Sequence, residues 1–395
     1  MPNFRPRLAR KLVTSVLVAL VATSLAACGS NVRTAPTQPG PPAHPTTLTD
    51  VLGRTVTLNL PSSRILLGGS RFLYTMAMLN KADPTAHVVG WPDDLEQNDP
   101  DTYQRYLQRF PAISKIPTVG QLPNGSLSVE QGIDLRPDVF VVSAFSFKAA
   151  QDAGIVGRLQ DAGVPTVVLD YFVDPLRNTV PSVRLMGQIM GRSAEAENYI
   201  SYYQAAVQKV RTRLDNAHQP PTPAFLWRAP GYYDCCATFA RSNLGSMVTF
   251  AGGDNLADSL LNTQQGTLAP ETVLTRNPPV VIATGADWAP GTPAKQGEFV
   301  ALGYNESQAQ AQAQLRAVLD RQAGFDNLAA VQNHRMYVVW HHFYDSPYNY
   351  LAIEWFAKWL HPDLFTDVDP DASMRDLQNR FLPIAPGGTF WAGVS

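Results

Sequence analysis

The chain has 395 residues, of which 45% are hydrophobic and 16% are charged. This length is enough for two or three domains with buried cores, and the composition excludes a wholly disordered chain. The 31 basic and 33 acidic residues leave a formal net charge of −2, so the chain has no basic surplus for binding nucleic acid.

The first 27 residues have the layout of an export signal. Four basic residues between Arg5 and Lys11 precede an apolar run over residues 12–22, which is well short of the ~20 residues of a membrane-spanning helix. The following segment, Leu25-Ala26-Ala27-Cys28, resembles the lipobox of bacterial lipoproteins. We therefore predict a lipoprotein signal peptide over residues 1–27, with Cys28 as the lipidated amino terminus. The alternative, a short membrane anchor with a chance cysteine, requires a longer apolar run.

Residues 28–47 contain five prolines among small and polar residues and have little to bury. Such a segment cannot offset its own ordering entropy, so we predict a tether. The folded body is expected to begin at residue 48. Alternating residues on both sides of Gly53 predict a β-hairpin over residues 50–58.

Short apolar runs then alternate with helical patterns. The runs predict strands at residues 65–67, 87–89, 139–142, 166–169, 224–227, 280–283 and 336–340. The intervening patterns predict helices at residues 72–80, 149–161, 176–190, 244–250 and 307–321. This alternation is typical of doubly wound α/β lobes built on parallel sheets.

The strongest helical pattern runs from residue 193 to about 215. Apolar residues recur at spacings of three and four, with acidic residues in the first turns and basic residues near the end. Prolines at positions 220, 221 and 223 end the pattern. We predict one helix over residues 193–217, joining an N-terminal α/β lobe at 48–192 to a C-terminal α/β lobe at 218–395.

Residues 128–139 and 269–280 align as a faint internal repeat in which a glutamate, a proline and a valine coincide. Each segment predicts a short helix, a turn and a buried strand. Glu130 and Glu271 lie near the start of the helix in their segments, where the helix dipole favours a carboxylate. Because one segment lies in each half of the chain, the repeat supports the division into two lobes.

In this order along the chain, these features resemble the class III periplasmic substrate-binding proteins of ABC importers, which capture ferric siderophores, haem and cobalamin. The resemblance covers residues 48 to 365. It also rests on the Asp-x-x-Gly-Arg-x-Val-x-Leu opening at residues 50–58, on Ala162-Gly163-Val164-Pro165 and on Ser346-Pro347. It implies two α/β lobes joined by one long α-helix, with a ligand cleft between the lobes.

The resemblance also implies partners. These are an ABC permease with its ATPase, which a monomeric binding protein meets at the membrane. Glu130 and Glu271 match the paired glutamates, one at the top of each lobe, that dock onto permease arginines. The alternative for both residues is an ordinary first-turn helix carboxylate.

Two segments depart from the family pattern. Residues 91–115 form a longer, polar and aromatic insertion, and Cys235 is followed directly by Cys236. In an exported protein these cysteines either bond to each other or remain as two buried thiols. Adjacent Cα atoms lie ~3.8 Å apart across a trans peptide bond, which is short of the usual ~4.4 to 6.8 Å disulfide span.

The sequence carries no Gly-x-x-x-x-Gly-Lys, His-Glu-x-x-His, Gly-x-Ser-x-Gly or Gly-x-Gly-x-x-Gly pattern. We therefore expect no enzymatic activity. The alternative from another functional class is a secreted hydrolase with a dispersed site at His341, His342 and Asp345.

Ligand-binding residues are expected after the carboxyl ends of the strands, where doubly wound sheets present their loops. Aromatic rings there suit a macrocycle or a catecholate, and arginines suit ligand carboxylates. For each aromatic residue, core packing is the alternative. The candidates are Arg71, Tyr74, Trp91, Phe145 and Tyr171 in the N-terminal lobe, and Trp227, Arg228, Tyr232, Trp288, His341, His342 and Tyr344 in the C-terminal lobe.

Together these observations predict a lipid-anchored substrate-binding component that captures an iron chelate, either a ferric siderophore or haem, and delivers it to a membrane permease. Cobalamin and a bare metal ion are the alternative ligands. His341 and His342 are adjacent and point to opposite sides of an extended strand, so both cannot chelate one metal from there. Neither a cofactor nor a protein-held metal is expected.

Overall fold

The structure, a computed structural model, describes residues 43–122, 126–288 and 298–394. Cys28, the predicted signal peptide and most of the predicted tether lie outside these residues. The strands are β1 (His44–Thr49), β2 (Thr55–Leu60), β3 (Ile65–Leu67), β4 (Val88–Gly90), β5 (Val139–Ser143), β6 (Thr166–Leu169), β7 (Thr222–Trp227), β8 (Ala237–Phe239), β9 (Gly253–Asn255), β10 (Gln265–Thr267), β11 (Val280–Gly285), β12 (Met336–Trp340) and β13 (Trp391–Gly393).

The α-helices divide into short connecting turns and longer helices that cover the sheets. They are α1 (Leu73–Leu79), α2 (Asp94–Asn98), α3 (Pro100–Arg109), α4 (Val129–Asp134), α5 (Ala144–Asp152), α6 (Ile155–Asp161), α7 (Pro175–Ile189), α8 (Ser193–Ala217), α9 (Asn243–Phe250), α10 (Leu256–Leu260), α11 (Pro270–Arg276), α12 (Gln308–Asp320), α13 (Ala329–Gln332), α14 (Asn349–Leu360) and α15 (Pro370–Phe381). None of the helices in the described ranges has the length and apolarity that crossing a membrane requires.

Two separate parallel sheets confirm the predicted two-lobe α/β fold. The N-terminal lobe, from β1 to α7, has a sheet of order β4-β3-β5-β6 with all neighbours parallel. The C-terminal lobe, from β7 to β13, has a sheet of order β13-β12-β11-β7-β9, in which only β13 runs antiparallel to its neighbour. Because helices cover both faces of such sheets, the strands read as continuous apolar runs.

All seven predicted strands are present, and β3, β6 and β12 have the predicted limits. The strands β8, β9, β10 and β13 were not predicted, because none of them contains the consecutive Val, Ile or Leu residues that mark β3 and β4. The prediction of one continuous helix over residues 149–161 is wrong. The segment forms two helices, α5 and α6, because Gly154 adopts a φ of +72° between them.

The hairpin begins earlier than the composition predicts. Strand β1 starts at His44, inside the predicted tether, because its backbone pairs with β2 along its whole length. The buried Asp50 carboxylate holds the turn by accepting hydrogen bonds from the backbone N–H groups of Leu52 and Arg54, both at 3.1 Å. It also accepts one from the Val168 N–H at 3.2 Å, which ties the hairpin to β6.

Helix α8 links the two sheets in the chain. It starts at the predicted residue, Ser193, and its 25 residues correspond to a length of ~37 Å. Its buried face includes Tyr199, whose hydroxyl donates to the Pro347 carbonyl at 2.7 Å. The helix packs against α7 of one lobe and α14 of the other, so it is the rigid connection that the sequence predicts.

Candidate functional site

A cavity of about 180 Å³ lies where the strands of the N-terminal sheet end. Its lining includes Gly68 after β3, Ser143 at the end of β5 and Tyr171 after β6. Tyr344 and Asp345, from the turn after β12, close it on the side of the C-terminal lobe. The cavity therefore lies in the cleft between the lobes, at the carboxyl ends of the strands, where doubly wound sheets bind ligands.

Arg71 crosses from the N-terminal lobe to the C-terminal lobe inside this cavity. Its Nε donates to Asp94 Oδ2 at 2.9 Å, and its Nη1 donates to the Tyr344 hydroxyl at 2.6 Å. The guanidinium also forms an ion pair with Asp345. Burial acts to lower the pKa of Arg71, but the two carboxylates outweigh it and hold that pKa well above its ordinary value. The charge of Arg71 is thus matched within the protein.

A closed circuit of seven rings and one guanidinium lies beside the cavity. Successive members are 4.5 to 6.1 Å apart, which is the distance range of aromatic and cation–π contacts. In order around this aromatic circuit, the members are Phe172, Tyr344, His341, Trp288, Tyr232, Tyr233, Arg228 and Phe239. Phe145 adds an eighth ring, 4.4 Å from Phe172.

Two of these aromatic side chains face solvent. Phe145 is 50% exposed and Tyr233 is 38% exposed, although large apolar side chains are usually buried. Phe145 lines the cavity. Tyr233 follows β7 in the C-terminal lobe and accepts a hydrogen bond from Arg228. Exposed rings on both walls of a cleft are surfaces against which a bound molecule can pack.

Asn243 joins the two walls beneath the circuit. Its fully buried side-chain amide donates to the Phe172 carbonyl at 2.7 Å and to the Tyr344 carbonyl at 2.9 Å. One acceptor belongs to each lobe, so Asn243 sets the spacing of the rings that flank the cavity. The sequence does not reveal this role, because an asparagine before a helix is also an ordinary capping residue.

Arg228 follows the last residue of β7 and lies beside the cavity as a member of the aromatic circuit. Its surroundings differ from those of Arg71. Its Nη1 donates to Gln265 Oε1 and its Nη2 donates to the Tyr233 hydroxyl, both at 3.0 Å. Its Nε is buried and has no hydrogen-bond partner. Within the described ranges, no carboxylate lies within ion-pair distance of this guanidinium.

The loop that carries Tyr232 and Tyr233 ends at Cys235 and Cys236, whose sulfur atoms are bonded to each other. The peptide bond between them is cis and their Cα atoms are 3.0 Å apart, so the trans spacing assumed from the sequence does not apply. Cys236 is fully buried, and its backbone exchanges two hydrogen bonds with Leu268.

His341 and His342 lie in the turn after β12 and contact different groups. The Thr284 hydroxyl accepts from the Ala229 N–H and shares a hydrogen bond with His341 Nδ1 at 2.8 Å. Burial, followed by nearby positive charges, holds the pKa of His341 well below its ordinary value, which favours the neutral ring. His342 Nε2 donates to the Asn98 carbonyl at 2.8 Å, across the two lobes.

The insertion over residues 91–115 forms α2 and α3 and reaches the C-terminal lobe. We call it the brace. Besides the contact of Asn98 with His342, the Asp101 carboxylate accepts from the Asn305 N–H at 3.1 Å. Arg105 Nη2 donates to the Tyr304 carbonyl at 3.2 Å. The brace therefore holds the two lobes together on one side of the cleft.

A buried carboxyl group lies at the centre of the brace. Asp99 is fully buried and accepts a hydrogen bond from the Tyr74 hydroxyl at 2.6 Å. Burial, reinforced by the neighbouring Asp101 carboxylate, holds the pKa of Asp99 well above its ordinary value. Asp99 is thus protonated under conditions in which a surface aspartate is charged.

Three predicted ligand residues lie in the packed core instead of along the cavity. Tyr74 and Trp227 are each 1% exposed, and Trp227 packs on Phe325 with ring centroids 5.3 Å apart. Trp91 is 4% exposed and its backbone bonds to the segment at residues 117–119. For these three, the structure favours the core-packing alternative. The last residue of a strand and the first residue after it look alike in sequence, yet only one of them faces the cleft.

Sequence reasoning missed several residues of the site. Phe172 and Asp94 line the cavity, and Phe239 completes the aromatic circuit from the unpredicted strand β8. Asp345 was predicted only as part of the hydrolase alternative. Phe172 and Asp345 directly follow the candidates Tyr171 and Tyr344, so these two residues had a nearby signal.

The two glutamates of the repeat lie away from the cavity. Glu130 is in the first turn of α4 and forms an ion pair with Arg158, whose hydrogen bond lowers the pKa of the carboxyl group. Glu271 is in the first turn of α11. Across residues 43–122, 126–288 and 298–394, no group of three or more His, Cys, Asp and Glu side chains is placed to hold a metal ion.

Comparison with known proteins identifies the family. A family model described as periplasmic binding protein matches residues 80–340, which is well over half of the chain. The chain belongs to the periplasmic binding protein family. This binding protein is the solute-binding component of an ABC importer and works on the extracytoplasmic side of the membrane. Proteins of this kind serve transport and are not enzymes.

Solved structures share this fold. A TroA-like periplasmic binding protein, FepB from Veillonella parvula, is 26% identical with a TM-score of 0.80, covering 89% of this chain and all of its own. MolA from Haemophilus influenzae, bound to molybdate, is 17% identical with a TM-score of 0.63, covering 87% of this chain and 99% of its own. CeuE from Helicobacter pylori, in a complex with nickel and histidine, is 16% identical with a TM-score of 0.61, covering 87% of this chain and 97% of its own. No curated protein matches the chain.

Proposed function

We propose that this binding protein captures an iron chelate, a ferric siderophore or haem, in the cleft between its lobes. The observation that carries the proposal is the aromatic circuit, in which seven rings and the Arg228 guanidinium surround one side of the cleft. Aromatic faces cover the flat organic surface of such a chelate, and a guanidinium binds its acidic groups.

The same observation argues against a small inorganic anion as the ligand. MolA, which shares the fold, is bound to molybdate. Recognition of a compact oxyanion requires several hydrogen-bond donors that converge on one point. Five aromatic rings line the cavity here, and the Nε and Nη1 donors of Arg71 are already directed at Asp94, Asp345 and Tyr344.

The proposed cycle includes the membrane. Acylated Cys28 anchors the protein to the membrane, and the proline-rich segment that follows gives it reach. Glu130 and Glu271 dock the two lobes onto the permease subunits, so that the chelate is released to the permease. Both glutamates lie outside the cavity lining, so a ligand bound in the cavity does not cover them.

Titration of the purified protein with ferric siderophores, haem, cobalamin, free zinc and an ester substrate tests the proposal. Tryptophan fluorescence reports binding, because an iron chelate quenches an indole that it approaches. A ligand at about 100 times its dissociation constant should also stabilise the protein by ~2.7 kcal/mol.

A matched pair of variants locates the ligand. We expect Trp288→Phe to lose most of the quenching, because Trp288 is part of the aromatic circuit. Trp227→Phe, a core residue, should keep the quenching. Binding of zinc or turnover of the ester, with no response to any chelate, would overturn the proposed function.

A further inference from the structure

The charged groups of the cleft fall into two sets, one at the cavity and one in the aromatic circuit. The charged side chains that line the cavity are one arginine, Arg71, and two aspartates, Asp94 and Asp345. We call these three side chains, which come from both lobes, the Arg71 cluster. They are only 12% to 24% exposed. The Arg71 cluster therefore carries one surplus negative charge, in surroundings where solvent screens it weakly.

The Nε and Nη1 donors of Arg71 are directed at protein acceptors. Nε is used by Asp94, which also accepts from the backbone N–H and the hydroxyl of Ser70, both at 2.7 Å. Nη1 is shared by Tyr344 and Asp345. A ligand carboxylate or catecholate approaching this guanidinium would also approach two fixed carboxylates. Arg71 is therefore a connection between the lobes and a poor anion site.

Arg228 has the opposite character. Its guanidinium is held between two rings, 4.5 Å from that of Tyr233 and 4.7 Å from that of Phe239. Its hydrogen-bond acceptors, Gln265 and Tyr233, are neutral, and its buried Nε has no partner. The Arg228 guanidinium is therefore held in place and has no counterion among the described residues, so it can bind one acidic group of a ligand.

From this arrangement we infer that the cleft selects iron chelates that are uncharged or carry a single net negative charge, with the acidic group bound by Arg228. This inference rests on the proposed function. A monoanion balances Arg228, and an uncharged chelate leaves the existing charges undisturbed. A trianion, such as a ferric tricatecholate, has only one available counterion and faces the surplus negative charge of the Arg71 cluster.

Wild-type protein provides the first test, which does not depend on the folding of any variant. Affinities are measured for an uncharged ferric trihydroxamate, for ferric haem as a net monoanion, and for a ferric tricatecholate as a trianion. We expect the tighter of the first two to bind at least about tenfold more strongly than the trianion. A trianion that binds most tightly would overturn the inference and leave the proposed function standing. If no complex binds, the proposed function itself fails.

Two variants then test the roles of the charges. We expect Arg228→Gln to lower the affinity for the monoanion by about ten- to a hundredfold. The affinity for the uncharged chelate should fall by clearly less. Asp345→Asn has nearly the same shape but removes one negative charge, so it should improve the affinity for the trianion relative to the uncharged chelate. Equal losses for all ligands in Arg228→Gln, or an unchanged ranking in Asp345→Asn with the fold intact, would contradict the inference.

Discussion

The ability of an arginine in this protein to bind a ligand depends on the charges that surround it. Arg71 and Arg228 are the same residue type at the same cleft. Arg71 is enclosed by two carboxylates, and Arg228 is enclosed by rings and neutral acceptors. Only the second has a charge left for a ligand. At the residue scale, therefore, function follows from the neighbours of a side chain and not from its type.

Asp287 gives a prediction at this scale. Burial, together with the Asp101 and Glu306 carboxylates, raises the pKa of Asp287 to about 6. An aspartate of an unfolded chain titrates near ~3.9, so the folded protein binds the extra proton more tightly. The stability that this proton contributes is fully present below pH ~4 and is lost as the pH rises through about 6.

We therefore expect Asp287→Asn to be more stable than the wild type at pH 7.5. Because Asp287 is partly exposed, solvent screening limits the gain to ~1 kcal/mol. The gain should shrink towards pH 4. Thermal unfolding measured from pH 4 to 8 checks this, with Asp254→Asn on the exposed part of β9 as the control for loss of a charge. A gain of equal size at every pH would contradict the prediction.

At the scale of elements, the insertion of polar and aromatic residues that forms the brace connects the two lobes. Its contacts to His342, Asn305 and Tyr304 all cross from the N-terminal lobe to the C-terminal lobe. The long helix α8 connects the lobes on one path and the brace connects them on another. Two connections restrict relative motion more than a single helix does, so the cleft is held close to its present width.

Arg105 and Arg109, on the same helix α3, form a matched pair for testing the brace. Arg105 donates to the Tyr304 carbonyl and lies 5.4 Å from the Tyr304 ring, whereas Arg109 lies 5.2 Å from the ring of its neighbour Phe110. We expect Arg105→Met to lower the free energy of unfolding by ~1 kcal/mol, since it loses a hydrogen bond and a cation–π contact.

Hydrogen exchange then distinguishes a connection between lobes from a local effect. In Arg105→Met, backbone amides around residues 303–305 should exchange faster, although the substitution is in the other lobe. Arg109→Met should change neither the stability nor this exchange by much. Similar behaviour of the two variants would mean that the brace does not couple the lobes.

At the scale of the whole molecule, we propose that ligand capture and docking on the permease use separate surfaces. The cavity lies at the carboxyl ends of the strands, and its lining does not include Glu130 or Glu271. Both glutamates lie in the first turn of a short helix that precedes a central strand, β5 in one lobe and β11 in the other. This equivalent placement follows from the internal repeat.

We expect the double variant Glu130→Ala and Glu271→Ala to bind the chelate as the wild type does, but to support much less uptake through the permease. Affinity measured by fluorescence and uptake measured in cells provide the two readouts. Glu195 is an exposed first-turn glutamate of α8, and Glu195→Ala is the matched control. This variant should keep both the ligand affinity and the uptake of the wild type. Reduced ligand affinity in the folded double variant would show that these carboxylates belong to the binding site.

Much of the architecture could be predicted from local pattern. Buried strands such as β3, β6 and β12 are continuous apolar runs, and α8 shows helical periodicity over its length. These signals are strong because the apolar residues that a segment buries, and their spacing, all lie within that segment. The family resemblance rested on the same order of elements, and the two-lobe fold confirmed it.

The charge state of the cleft could not be predicted in this way. Arg71, Asp94 and Asp345 are distant in the chain, and only the packing of the two lobes brings the three side chains together. The aromatic circuit likewise combines five segments, including the unpredicted strand β8. The sequence by itself determined the two lobes, the connecting helix and the aromatic character of the strand ends. Tertiary structure decided which arginine is neutralised and which rings meet, because Coulomb and aromatic contacts depend on distances between side chains that only the assembled lobes define.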